Sequence, residues 1–226
     1  MIKFFRKIRQ RLLSENKLSK YLIYAIGEIT LVVIGILIAL SINNWNDNQK
    51  LIKQERELLE NVLENIATDA TSIDSVISST NRILTIHGNL IKFSKQQISK
   101  NDISNIDLIR KSEPNQLITY TYNPNLPQLL LDQELKNVIL DYYQTIDFFD
   151  KSRSDYNYII EQHIRPILAE KELLNFDFQF TESGGYNNLI KRSKFFEAFK
   201  KEDIKQYLFE ARVKLLVLMQ NSQLIA

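Results

Sequence analysis

The sequence predicts an all-α protein, with an N-terminal transmembrane helix followed by an extracytoplasmic helical bundle. Three observations predict it. Between Tyr21 and Ile42 the one charged residue is Glu28. The 226 residues contain only five Gly and four Pro, and neither occurs between Gly35 and Gly88, which favours helix over a many-stranded sheet. Beyond residue 43, apolar residues return at threes, fours and sevens. Three segments follow: a cytoplasmic basic amphipathic stretch at 1–20, a transmembrane helix at 21–42, and an extracytoplasmic, periplasmic helical domain at 43–226.

The first segment is basic. Lys3, Arg6, Lys7, Arg9, Arg11, Lys17 and Lys20 stand against Glu15, while the whole chain is only +2. The pI of 8.6 is therefore set by this segment and gives no sign of nucleic-acid binding. Phe4, Ile8 and Leu12 share one helical face among these cations. Such a helix is suited to an anionic membrane surface, or serves only to fix topology.

As a helix, the 21–42 stretch measures about 33 Å, against ~30 Å of hydrocarbon. Tyr21 and Tyr24 are placed as interfacial anchors on the near side and Trp45 on the far side. The basic segment precedes the span, so the positive-inside rule puts the N-terminus in the cytoplasm of a bacterial inner membrane. A cleaved signal peptide is the competing reading, since Ala39 and Ser41 are small residues after an apolar run. The length of that run and of the basic region before it favours an uncleaved anchor.

Glu28 lies about 10 Å into the span, off-centre, where a carboxylate costs less than at mid-bilayer. Leu31, Gly35 and Ala39 fall on its face of the helix. Gly35 and Ala39 form a small-xxx-small pair that lets two helices approach. Three readings stand: contact with a second copy or another membrane protein, a Glu tolerated near the interface, or an ion or proton path.

In the third segment Asn46 and Asp47 are N-cap candidates. Leu59, Val62, Ile66, Ile73, Ile77, Leu84 and Ile91 form an amphipathic stripe that includes Thr80 and His87, with a possible break at Thr68–Ser72. The stripe fits a coiled-coil seam or the core face of a bundle helix, and the later segments offer partners for the bundle. Residues 99–127 are the weakest-patterned, read as a short helix near 102–111 and then loop. Helices follow over 129–149 and 156–174, with a kink at Arg165-Pro166. Residues 175–180 alternate with period two as a short strand or extended edge. Gly184-Gly185 is a turn, and helices close the chain over 188–200 and 203–224.

No catalytic constellation emerges. His87 and His163 form neither HxxxH nor HExxH, and nucleophile elbow, phosphate loop and dinucleotide fingerprint are all missing. With no Cys, the sequence excludes disulfides and thiolate chemistry. The expectation is a non-enzyme without cofactor or metal. His87 on an apolar stripe reads as a satisfied core histidine. The aromatic run around Tyr142, Phe149 and Tyr156 could line a ligand pocket, though such spacing more often belongs to bundle core.

The opening "MIKFFRKIRQRLLSENKLSKYLIYAIGEITLVVIGILIALSINNWN", with Gly27-Glu28 and Asn43-Asn44-Trp45-Asn46, resembles a family of uncharacterised Bacteroidetes-type membrane proteins, a domain of unknown function. "LLLDQELKNVILDYY" at 129–143 is similar to a recurring element of that family. The resemblance implies one span and a helical extracytoplasmic domain, and implies no activity. The function expected is binding, as a scaffold or accessory subunit. The alternatives are a periplasmic ligand sensor or a transport-coupled subunit using Glu28. Membrane lipids and a homo-oligomeric or other membrane-protein partner are expected, and no nucleic acid.

Overall fold

A computed structural model describes residues 18–177, 179–180 and 186–226. The expectations placed on Lys3, Arg6, Lys7, Arg9 and Arg11 lie outside the described residues, as do the Tyr21 side chain and the Gly184-Gly185 turn. The chain divides into two units, residues 1–57 and 58–226.

In the first unit the described residues belong to helix α1 (Leu18–Ser94). Its N-terminal stretch is long and apolar enough to cross a membrane, and none of its apolar window is buried within the protein. Asn46 and Asp47 do not cap a new helix, as the sequence suggested. They sit inside α1, where Asn43 Nδ2 donates to Asp47 Oδ2 at 3.1 Å and Lys50 pairs with Asp47 at 3.1 Å. With no Gly or Pro nearby, nothing stops the helix, and the polar residues pair along its surface.

Among the described residues of the second unit, the regular structure is helical apart from one small hairpin. On α1 the buried positions are Val62, Asp69, Ile73, Val76, Ser79, Thr80, Ile83, Ile86, His87 and Leu90. They repeat by threes, fours and sevens, so one stripe faces the core. Its centre is Val76 and Ile83; Ile77, Leu84 and Ile91 of the expected stripe lie at its edge. The break expected at Thr68–Ser72 does not occur. Thr68 and Thr71 donate to the carbonyls of Glu64 and Ala67, each at 3.1 Å, and so keep their hydroxyls on the helix.

Residues 95–132 hold two 3-10 turns (Lys100–Asp102 and Ile106–Arg110) and two short helices, α2 (Thr119–Tyr122) and α3 (Leu126–Leu129). The single short helix expected near 102–111 is thus replaced by 3-10 turns. Asp132 then caps α4 (Gln133–Ile159), accepting from the amides of Glu134 at 2.7 Å and Leu135 at 3.0 Å. The gap expected between residues 149 and 156 is absent. Asp150–Asp155 contains no breaker, Ser152 donates to the Phe149 carbonyl at 2.8 Å, and Arg153 pairs with Asp150 at 3.3 Å. A π turn (Ile160–Ile164) joins α4 to α5 (Arg165–Glu170), and the Arg165 amide reaches back to the Ile160 carbonyl. Pro166 lacks an N–H, so the widened turn stands where the sequence predicted a kink.

Strands β1 (Gln179–Phe180) and β2 (Tyr186–Asn187) pair antiparallel, and Leu174 bridges Ile190. The first closing helix, α6 (Arg192–Ala198), starts later than expected because residues 188–191 complete this extended pairing. The last, α7 (Glu202–Ile225), runs antiparallel to α4: Lys214 meets Asp155 at 3.2 Å, and Asn221 donates to the Phe148 carbonyl at 3.1 Å. The core is filled by Phe149, Tyr156 and Phe195, all fully buried.

Candidate functional site

A cavity lies between the end of α1 and the start of α7, with Phe199 beyond α6 closing one side. It measures about 360 Å3. Leu90, Ile91, Leu208 and Phe209 supply apolar wall; His87, Ser94, Lys205, Gln206 and Arg212 supply polar groups. Among the described residues that line it, none is a carboxylate. A neighbouring cavity of about 670 Å3 shares Ser94, Phe199 and Lys205 with it and adds Lys100, Lys200 and Glu197.

His87 is buried, with Nδ1 lying 3.1 Å from the Leu208 carbonyl. A carbonyl oxygen only accepts, so the proton of the neutral ring sits on Nδ1 and Nε2 carries a bare lone pair. Nε2 is buried without a hydrogen-bond partner among the described residues. The expected satisfied core histidine is therefore only half satisfied. Burial lowers its pKa from 6.5 to about 4, and the nearby Arg212 charge adds to the effect against the Leu208 bond. The ring is thus neutral at neutral pH. Arg212 Nη1 donates to the Leu84 carbonyl at 3.0 Å, which fixes the guanidinium across α1 beside Gly88.

The pocket expected beside Tyr142, Phe149 and Tyr156 does not form: Phe149 and Tyr156 are fully buried, and none of the three lines a described cavity. The two tyrosine hydroxyls hold the fold instead. Tyr156 donates to the Lys111 carbonyl at 2.8 Å, and Tyr142 to Asp69 at 3.3 Å. Burial, and then the Asp69 charge, push Tyr142 up to about 12; burial and then the Glu113 charge raise Tyr156 further. Both therefore stay protonated donors. Asp69, which sequence reasoning passed over as part of a polar run, also accepts from the amides of Ile118 at 2.6 Å and Thr119 at 3.0 Å. It binds the start of α2 from mid-helix.

On the membrane-type stretch of α1, Glu28, Leu31, Gly35 and Ala39 share a face. A Cβ added at Gly35 would meet nothing within 4 Å. Tyr24 and Trp45 are both exposed. The cavity residues Lys205 and Arg212 were not singled out in the sequence, where two cations one heptad apart on an amphipathic helix look like ordinary surface.

The fold and these two features define a helical protein with, among the described residues, one candidate membrane span and a cavity-bearing helical unit. The chain belongs to a family of unknown function (DUF6090), whose pattern matches residues 28–158. The match begins at Glu28 and includes the 129–143 element, so the family resemblance drawn from residues 1–46 is supported only over its last part. No curated protein and no solved structure matches the chain.

Proposed function

We propose that the chain is a single-span, membrane-anchored, non-enzymatic binding protein of the bacterial inner membrane. Its N-terminus is cytoplasmic, its helical unit is periplasmic, and its anchor contacts a second helix through Glu28, Gly35 and Ala39. The observation that carries this reading is the unburied apolar stretch of α1, where Ile23 and Leu31 are each 70% exposed. So much apolar surface calls for a lipid or helix neighbour. The absence of side chain at Gly35 leaves room for close backbone approach.

The test uses the Cys-free background. Single cysteines at Leu31, Gly35 and Ala39 are oxidised in cells, alongside Val33 on another face. Crosslinking strong at Gly35 and weak at Val33 is the expected result, and the crosslinked product identifies the neighbour. Equal or no crosslinking at all four positions rejects the seam. An exported reporter fused after Ala226 is expected to be active; activity of a cytoplasmic reporter there instead rejects the orientation.

A second reading is favoured by one specific observation, the cavity walled by His87, Lys205 and Arg212. Under it the helical unit is a ligand sensor, using that cavity rather than the aromatic core around Tyr156.

A further inference from the structure

The cavity between α1 and α7 has a charge character as well as a shape. Its two cations, Lys205 and Arg212, are one heptad apart on α7 and so stand on the same side of that helix. Arg212 is held in place by its bond to the Leu84 carbonyl. A guanidinium has several N–H donors, and one bond to a carbonyl leaves others for a second acceptor. The neighbouring cavity extends the same sign, with Lys100 and Lys200 against Glu197. The remaining wall is apolar and aromatic apart from Ser94 and Gln206. A lining of this kind takes a ligand with one anionic end and an apolar body, since a few placed polar groups set orientation while apolar contact supplies area. His87 also lines the cavity, and its neutral ring brings no positive charge for a second carboxylate.

We propose that this cavity binds a small organic monoacid, its carboxylate held by Lys205 and Arg212 and its apolar body packed on Leu90, Ile91 and Phe209. The proposal rests on the ligand-sensing reading above and adds the class of ligand. About 360 Å3 is ample for a compound of phenylpropionate size. Preference for the acid over its neutral analogue comes from charge-assisted hydrogen bonds, which are roughly twice as strong as neutral ones.

The experiment uses the full chain in lipid nanodiscs with 15N-labelled histidine. There are only two histidines, and a His163→Gln variant assigns the His87 ring signals. The probe is 3-phenylpropionate, with 3-phenylpropan-1-ol, 3-phenylpropylammonium and phenylsuccinate as congeners. The expected result is saturable movement of the His87 resonances by 3-phenylpropionate, with binding at least about tenfold weaker for each congener. Lys205→Glu is expected to weaken the acid by about tenfold while leaving the thermal transition unchanged. Equal binding of the alcohol or the amine overturns the acid assignment and leaves the sensing reading standing. If no congener moves His87, both are overturned.

Discussion

Replacing Asp69 by Ala should release residues 117–122 from α1 without unfolding the rest. The Asp69 carboxylate is fully buried and accepts from two backbone amides, Ile118 at 2.6 Å and Thr119 at 3.0 Å, as well as from the Tyr142 hydroxyl at 3.3 Å. Alanine leaves both amides without their acceptor, one buried at Thr119 and one half-buried at Ile118. A buried donor left unsatisfied costs about 1–3 kcal/mol. Taking roughly 1–2 kcal/mol for each amide gives about 2–4 kcal/mol, since Tyr142 can turn toward solvent. Each 1.4 kcal/mol is a factor of ten, so local opening should rise roughly 30-fold to 700-fold. Hydrogen exchange of the full chain in nanodiscs, read at the amides of Ile118 and Thr119, measures this directly. Asp69→Asn keeps one acceptor oxygen and should fall between wild type and Ala. Exchange at Ile118 and Thr119 that is unchanged in Asp69→Ala would refute the assignment of this carboxylate as their anchor.

Two further predictions concern His87 and its neighbour Gly88. His87 is lowered from 6.5 to about 4, so the folded protein refuses a proton that the unfolded chain accepts. Its contribution to stability is therefore whole above pH 6.5 and is lost as pH falls toward about 4, by about 3 kcal/mol. Thermal unfolding of wild type and His87→Gln at pH 7 and pH 4.5 should show the smaller acid loss in the variant; equal losses would show that another group carries the effect. Gly88→Ala should stabilise the chain by about 0.5–1 kcal/mol, because Ala is the better helix former. The added Cβ meets only Arg212 Nη1 at 3.9 Å, an ordinary contact. A lowered melting temperature in that variant would mean that the guanidinium needs more space than the structure gives it.

The helical class and the apolar stretch were legible because both are written in local pattern. The absence of Gly and Pro over a long run and the regular return of Ile, Leu and Val need no knowledge of the partner. Boundaries were less legible. Asp150–Asp155 reads as a polar connector, yet Ser152 and Arg153 bond back onto the helix, and only the packing of α4 on α7 shows Asp155 paired with Lys214. Residues 99–127 look shapeless because their order is supplied from elsewhere in the chain. Arg192 donates to the carbonyls of Lys100 and Ile103, and Asp107 accepts from the Ile190 amide at 2.9 Å. No periodicity within the segment carries that information. His87 was noticed in the sequence as polar on an apolar stripe. Lys205 and Arg212 acquire meaning only when α7 is laid against α1.

The ties around residues 110–119 share a property that bears on how this protein can change. Asp69 binds the amides of Ile118 and Thr119, and Tyr156 binds the carbonyl of Lys111. Asn157 binds both the amide of Glu113, at 2.7 Å, and its carbonyl, at 2.8 Å, and Arg165 donates to the carbonyl of Arg110 at 3.2 Å. Each helix side chain grips main chain, which every amino acid possesses. Mutational drift is thus licensed at many positions of this segment and forbidden at the distant residues that hold it. Proline is the exception, since it removes the N–H that is gripped at 113, 118 and 119. The native Pro114 stands at a position where no such grip is made on its nitrogen.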